Sequence, residues 1–150
     1  MSENVQIKKI WNAVYNILEN ERQNGSLNYI KAIYQGVRED IVNFPVIILE
    51  PDSEREEQHT VPKHKMCYFT ILISYFDEVI NKDEQIVSER GKGVLDALVD
   101  IKNVISKYPN LNNSCQDFKM PTTRFVFENY PYRGFEITLE TRYIVEQTQR

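Results

Sequence analysis

The sequence predicts an α+β domain: one mainly antiparallel four-stranded sheet with helices packed on one face, in the order α-(α)-β-β-α-β-β. Three patterns carry this reading. Phe135, Ile137, Leu139, Thr141, Tyr143 and Val145 alternate with Glu136, Thr138, Glu140, Arg142 and Glu146, the period of a half-buried strand. Val94, Leu98, Ile101, Ile105 and Tyr108 recur at steps of 4 and 3, one stripe of a helix. The strands fall into two pairs with a helix before each, an order that lays helices on one sheet face.

The elements follow in turn. Ile7, Ile10, Trp11, Val14, Ile17 and Leu18 make Val5 to Glu21 an amphipathic helix, ended by Asn24-Gly25-Ser26. Leu27, Ile30, Ile33 and Tyr34 sit at helical spacing and predict a short second helix, closed at Gly36. Phe44 to Leu49 is an apolar strand bounded by Pro45 and Pro51, because proline cannot donate to a ladder. Asp52 to His64 is charged and poor in apolar residues, which predicts a protruding loop or hairpin arm. Met66 to Phe76 places Cys67, Phe69, Ile71, Ile73 and Tyr75 on one strand face; Tyr68, Leu72 and Phe76 share the other with Thr70 and Ser74. Pro109 ends the central helix, Asn110 to Pro121 reads as a polar loop, and Thr122 to Glu128 as a strand. Asn129 to Gly134 is the turn that follows. The expected core is Val14, Leu18, Phe69, Ile71, Leu98, Ile101, Ile105, Ile137 and Leu139.

With 150 residues, 41% hydrophobic and 27% charged, residues 1–150 suit a single globular domain. A net charge of −4 supplies no general pull toward nucleic acid or anionic lipid. The longest aliphatic run, Val46-Ile47-Ile48-Leu49, is far short of a membrane span, and Met1 to Val5 lead to the expectation that there is no secretory signal. Two distant cysteines fit a reducing cytoplasm.

Candidate chemistry is sparse. His59, His64 and Cys67 have H-x4-H-x2-C spacing but no obvious fourth ligand, so neither metal nor cofactor is expected. Asp96 and Asp100 share one helix face, whereas acid–base work needs carboxylates in different environments within a cleft. No serine has a G-x-S-x-G context, and Arg90-Gly91-Lys92-Gly93 lacks phosphate-loop spacing. The expectation is a protein that is not an enzyme.

Strand length points elsewhere. Lys65 to Asp77 and Phe135 to Glu146 run 13 and 12 residues, about twice the usual five or six. Long uncovered strands invite edge pairing unless another chain occupies them.

The order of elements, with Phe44-Pro45-Val46-Ile47-Ile48 opening a strand after the first helix and Val94 to Tyr108 after the next strand, resembles the tail terminator (tail completion, or tail-to-head joining) proteins of long-tailed phages. The resemblance spans roughly residues 5 to 147 in topology and implies no catalytic residues. It implies a homo-oligomeric ring, usually of six copies, that ends the tail tube and meets the head connector or neck protein. It further implies a location in the virion, at the head-proximal end of the tail, reached from the host cytoplasm during assembly. Interface residues expected on this reading are Glu54, Arg55, Glu56, Glu57 and His59 in the arm. Tyr130, Tyr132 and Arg133 are expected exposed at the last turn, and Glu140 and Arg142 on the second sheet face. The alternatives are a cytoplasmic protein-binding module using a free sheet face, or a head-completion or neck protein.

Overall fold

A computed structural model describes residues 3–36, 41, 43–57, 64–78, 93–126 and 132–146. Helix α1 spans Glu3–Asn24 and α2 spans Val94–Ser106; the strands are β1 (Ala32–Gln35), β2 (Val46–Glu57), β3 (His64–Glu78), β4 (Asp117–Val126) and β5 (Tyr132–Glu146). They form one five-stranded sheet in the order β1-β2-β3-β5-β4. Only the β1–β2 pair is parallel.

The axis of the sheet is β3 against β5, 15 residues each, in register from His64–Glu146 to Glu78–Tyr132. Alternation decides which face is buried: Cys67, Phe69, Ile71, Ile73 and Tyr75 lie opposite Tyr143, Thr141, Leu139, Ile137 and Phe135. These side chains join Ile10, Val14, Ile17 and Leu18 of α1 and Val94, Ala97, Ile101, Val104 and Ile105 of α2 in one core. Tyr75 and Phe135 stack at 5.1 Å between centroids. Gly134 allows the close approach at this end, since a Cβ there would stand 1.8 Å from the Tyr75 carbonyl oxygen.

Four expectations are corrected: the sheet has five strands rather than four, no second helix follows α1 over residues 27–35, β2 does not end at Pro51, and β4 starts before Thr122. The second helix is absent: after a turn that buries Leu27 and Ile30, residues 32–35 form β1, held by Lys31 N–H to Pro45 O and Gly36 N–H to Leu49 O, both 2.8 Å. A four-residue strand is too short for its period to show against the i, i+3 spacing of Leu27, Ile30 and Ile33. Pro51 does not end β2, which runs on to Glu57. Beyond Leu49 the strand has no outer neighbour among the described residues, and a register shift at Pro51/Ser53 absorbs the proline. Residues 52–57 are thus strand, exposed throughout, and only 58–63 of the expected arm lie outside the described residues. β4 begins at Asp117, inside the expected loop, because as an edge strand with a register shift between Lys119 and Thr122 it buries no side chain fully.

In α2 the buried stripe is centred on Ala97, Ile101 and Val104, which leaves Leu98 half-buried at its margin rather than in the core. Gly93 and Asp96 cap this helix: the Asp96 carboxylate accepts the Gly93 N–H at 2.9 Å. Past α2, Leu111, Asn112 and Asn113 take left-handed backbone angles, with the Asn110 side-chain oxygen accepting the Asn113 N–H at 3.0 Å. That turn buries Leu111 and delivers the chain to β4, where Gln116 N–H meets Arg142 O at 2.7 Å.

Ile101→Ala should cost ~2–5 kcal/mol in chemical denaturation and Leu98→Ala distinctly less, because only the first leaves a fully enclosed cavity. Gly134→Ala should cost ~1–3 kcal/mol by forcing β3 and β5 apart at the Tyr75 carbonyl; a neutral result would refute that close approach.

Candidate functional site

The sheet face opposite α1 and α2 carries a charged surface at the end where β2 outruns β1. Pairing sets it out in rows. Arg55, Tyr68, Arg142 and Asp117 stand side by side across β2, β3, β5 and β4; the neighbouring row is Ser53, Thr70, Glu140 and Lys119. Tyr68, Asp117, Phe118, Lys119, Glu140 and Arg142 line a concavity of about 360 Å³.

The groups interlock. The Arg55 guanidinium lies over the Tyr68 ring, 3.8 Å from its centroid. The Tyr68 hydroxyl donates to Glu57 at 2.7 Å, and that bond to a carboxylate raises the phenol's pKa, so it stays protonated. Arg142 grips Asp117 with two nitrogens, Nε at 2.9 Å. Glu140, with its side chain 19% exposed, draws Lys119 Nζ to 3.3 Å and Arg55 to 3.9 Å. Its Oε1 is buried without a hydrogen-bond partner. Arg55, Lys119 and Arg142 balance Glu57, Asp117 and Glu140 within the cluster. A balanced surface of this kind discriminates by the positions of its charges rather than by net attraction.

Of the expected interface residues, the sheet brings together Arg55, Glu57, Glu140 and Arg142. Glu54 and Glu56 alternate onto the helix-bearing side of β2, where Glu56 pairs with Lys65. Arg133 is no turn residue: it is half-buried in β5, opposite Asp77. The backbone of Tyr132 is likewise in β5, while His59, Tyr130 and the side chain of Tyr132 lie outside the described residues. Sequence reasoning missed Tyr68, Asp117 and Lys119. The first reads as one more aromatic in an apolar strand, and the other two lie in a segment expected to be loop; only the register of β4 aligns them.

Elsewhere, titratable groups are built into the fold. Asp100 accepts a hydrogen bond from the Tyr29 hydroxyl at 2.9 Å; burial, then Asp100, raises that phenol's pKa. Burial pushes the Cys115 thiol up to about 11, with Asp117 adding to the effect. His64 and Cys67 project to opposite faces of β3, and no group of three metal-ligating side chains converges among the described residues.

The Arg142–Asp117 pair is exposed at 42% and 53%, so solvent screens it. Arg142→Ala should lower monomer stability by less than ~1 kcal/mol in denaturant titration. A loss several times larger would make the cluster a structural element of the subunit.

No protein-family model and no curated protein matches the chain. Among solved structures it is similar to a chain of the virion of a native gene transfer agent particle, at 13% sequence identity and a TM-score of 0.49, over 91% of this chain and 93% of that one.

Proposed function

We propose that the chain is a structural protein of a phage or phage-like particle, a subunit of a homo-oligomeric ring that ends the tail tube and joins it to the head connector or neck. The observation that carries this reading is the β2–β3 hairpin. β2 is buried from Val46 to Leu49 and exposed from Pro51 to Glu57, so among the described residues half of a 12-residue strand is held in order by β3 alone. A single chain gains little by extending a strand past its own core, since each ordered residue loses ~1–2 kcal/mol of backbone entropy. An assembled neighbour supplies the missing contacts.

The charged cluster fits the same role. Its groups fix orientation between subunits and involve no bond-making chemistry, and the protein is not an enzyme on this reading. The resemblance of the element order to tail terminators is what favours the tail end over other places in the particle.

The test is disruption of the gene in the particle-producing strain. Separate heads and unjoined tails, with the protein found by mass spectrometry at the tail end of intact particles, is the expected result. Joined, infectious particles lacking the protein would overturn the proposal. Filled heads that lose their contents while tails assemble normally would assign it to head completion instead.

A further inference from the structure

The two outer edges of the sheet are complementary to each other. Beyond Leu49, β2 has no strand beside it from Glu50 to Arg55 among the described residues, and β4 is the opposite edge. The β2 segment carries Glu50, Asp52 and Glu54 against one cation, Arg55. β4 carries Lys119 and Arg124 against one anion, Asp117. Pairing β2 with β2 would crowd carboxylates together, whereas the first half of β4 brings Asp117 and Lys119, one charge of each sign, to that edge. Direction agrees: β2 is antiparallel to β3, β3 to β5 and β5 to β4, so β4 runs opposite to β2. A second copy displaced along the sheet therefore offers its β4 to β2 in antiparallel sense, with no inversion of the subunit.

We propose that Glu50–Arg55 of β2 receives the first half of β4 from a second copy of this chain. With the rows kept level, Asp117 of the incoming copy stands beside Arg55 and its Lys119 beside Ser53. The row Arg55–Tyr68–Arg142–Asp117 then repeats from subunit to subunit, with Asp117 between Arg142 of its own chain and Arg55 of the next. The helix-bearing side has a place for the apolar side chains of that strand. Ile7, Trp11, Pro51 and Phe69 line a groove of about 380 Å³ next to the same edge of β2. Phe118 and Met120 on that side of β4 pack in part against their own chain's core, and their exposed remainder is what the incoming strand presents to the groove. Trp11 is anchored there by its indole N–H to Gln35 Oε1 at 2.6 Å. The prolines and bulges of both edges oppose indiscriminate strand addition, which leaves charge to select this pairing. The contact is head-to-tail, so it closes a ring or runs on as a filament.

This deepens the particle role proposed above and rests on it for its setting; the experiment separates the two. Trp11 is the sole tryptophan, and its emission should shift to the blue as wild-type protein self-associates in sedimentation velocity. Ser53→Lys sets like charges face to face with Lys119, and Lys119→Glu adds a carboxylate beside Glu50, Asp52 and Glu54. Each should weaken association roughly tenfold and leave Trp11 emission red at concentrations where wild type has shifted. Ser53 is exposed and its variant should melt like wild type, whereas Lys119→Glu also removes the cation beside Glu140 and should melt somewhat lower, so association is compared at a temperature where every variant is folded. The chain carrying both substitutions, or a mixture of the two single variants, should regain association, because the introduced lysine then faces the introduced glutamate. A wild type that stays monomeric with unmoved Trp11 emission overturns the contact, as do single variants that associate like wild type or a double variant that is no better than either. If such results come with the protein present at the tail end of particles, the strand contact falls and the particle role stands. Rescue by the double variant with the protein absent from particles does the reverse.

Discussion

Everything in this fold hangs on the pairing of β3 with β5. Fifteen residues of each run in register, and every other element is attached to one of the two: β2 and through it β1 on one side, β4 on the other, both helices against the odd-numbered side chains. The pairing is also a long-range constraint, since it joins residues some seventy apart in sequence, as Thr141 Oγ1 donating to Phe69 O across 72 positions illustrates. At ~3.4 Å per residue each strand reaches ~50 Å, against ~33 Å for α1 and ~20 Å for α2. The helix layer is shorter than the sheet beneath it, and the surplus decides where the molecule is left open.

That surplus is not shared evenly. On the helix-bearing side the axis remains covered as far as Cys67 and Tyr143, both essentially inaccessible to solvent. β2 loses its cover first, past Leu49, because β1 is only four residues long and stops there. The change is visible in residue type: Val46-Ile47-Ile48-Leu49 is a strand buried on both faces, and Asp52 to Glu57 is one wetted on both. One strand thus has a core half and a surface half, with Pro51 and a register shift at the seam.

This seam explains what could and could not be read from the sequence. β3, β5 and α1 were legible because each repeats its period over ten residues or more, enough for burial to dominate composition. The charged half of β2 was not, since strand patterns betray themselves through apolar alternation and Asp52 to Glu57 has none; its order comes from hydrogen bonding to Met66–Thr70. β1 was lost for the opposite reason, as four residues beside a buried Leu27 and Ile30 satisfy a helical spacing equally well. The site divides the same way. Arg55, Glu57, Glu140 and Arg142 stood out as charge in or beside strands, whereas Tyr68, Asp117 and Lys119 acquire meaning only from which residue lies across from which. Arg133 misled because Pro131 and Gly134 read as turn residues, while Gly134 is in fact the point of closest approach between β5 and the Tyr75 carbonyl.

Charge at the open end has to be judged by position rather than by quantity. Three cations and three anions, most of them more than 40% exposed, add little to the stability of one subunit, and their balance creates no field at a distance. Glu140 is the exception: its carboxylate is largely enclosed, carries a buried oxygen without a hydrogen bond, and relies on Lys119 and Arg55 approaching from neighbouring strands. A lower dielectric would strengthen the attraction among these charges and would also remove their hydration, so covering this end is favourable only where the covering group supplies hydrogen bonds in place of water. Glu140 is therefore the one member of the cluster whose charged neighbours matter to the subunit itself, while the exposed charges around it act through their positions.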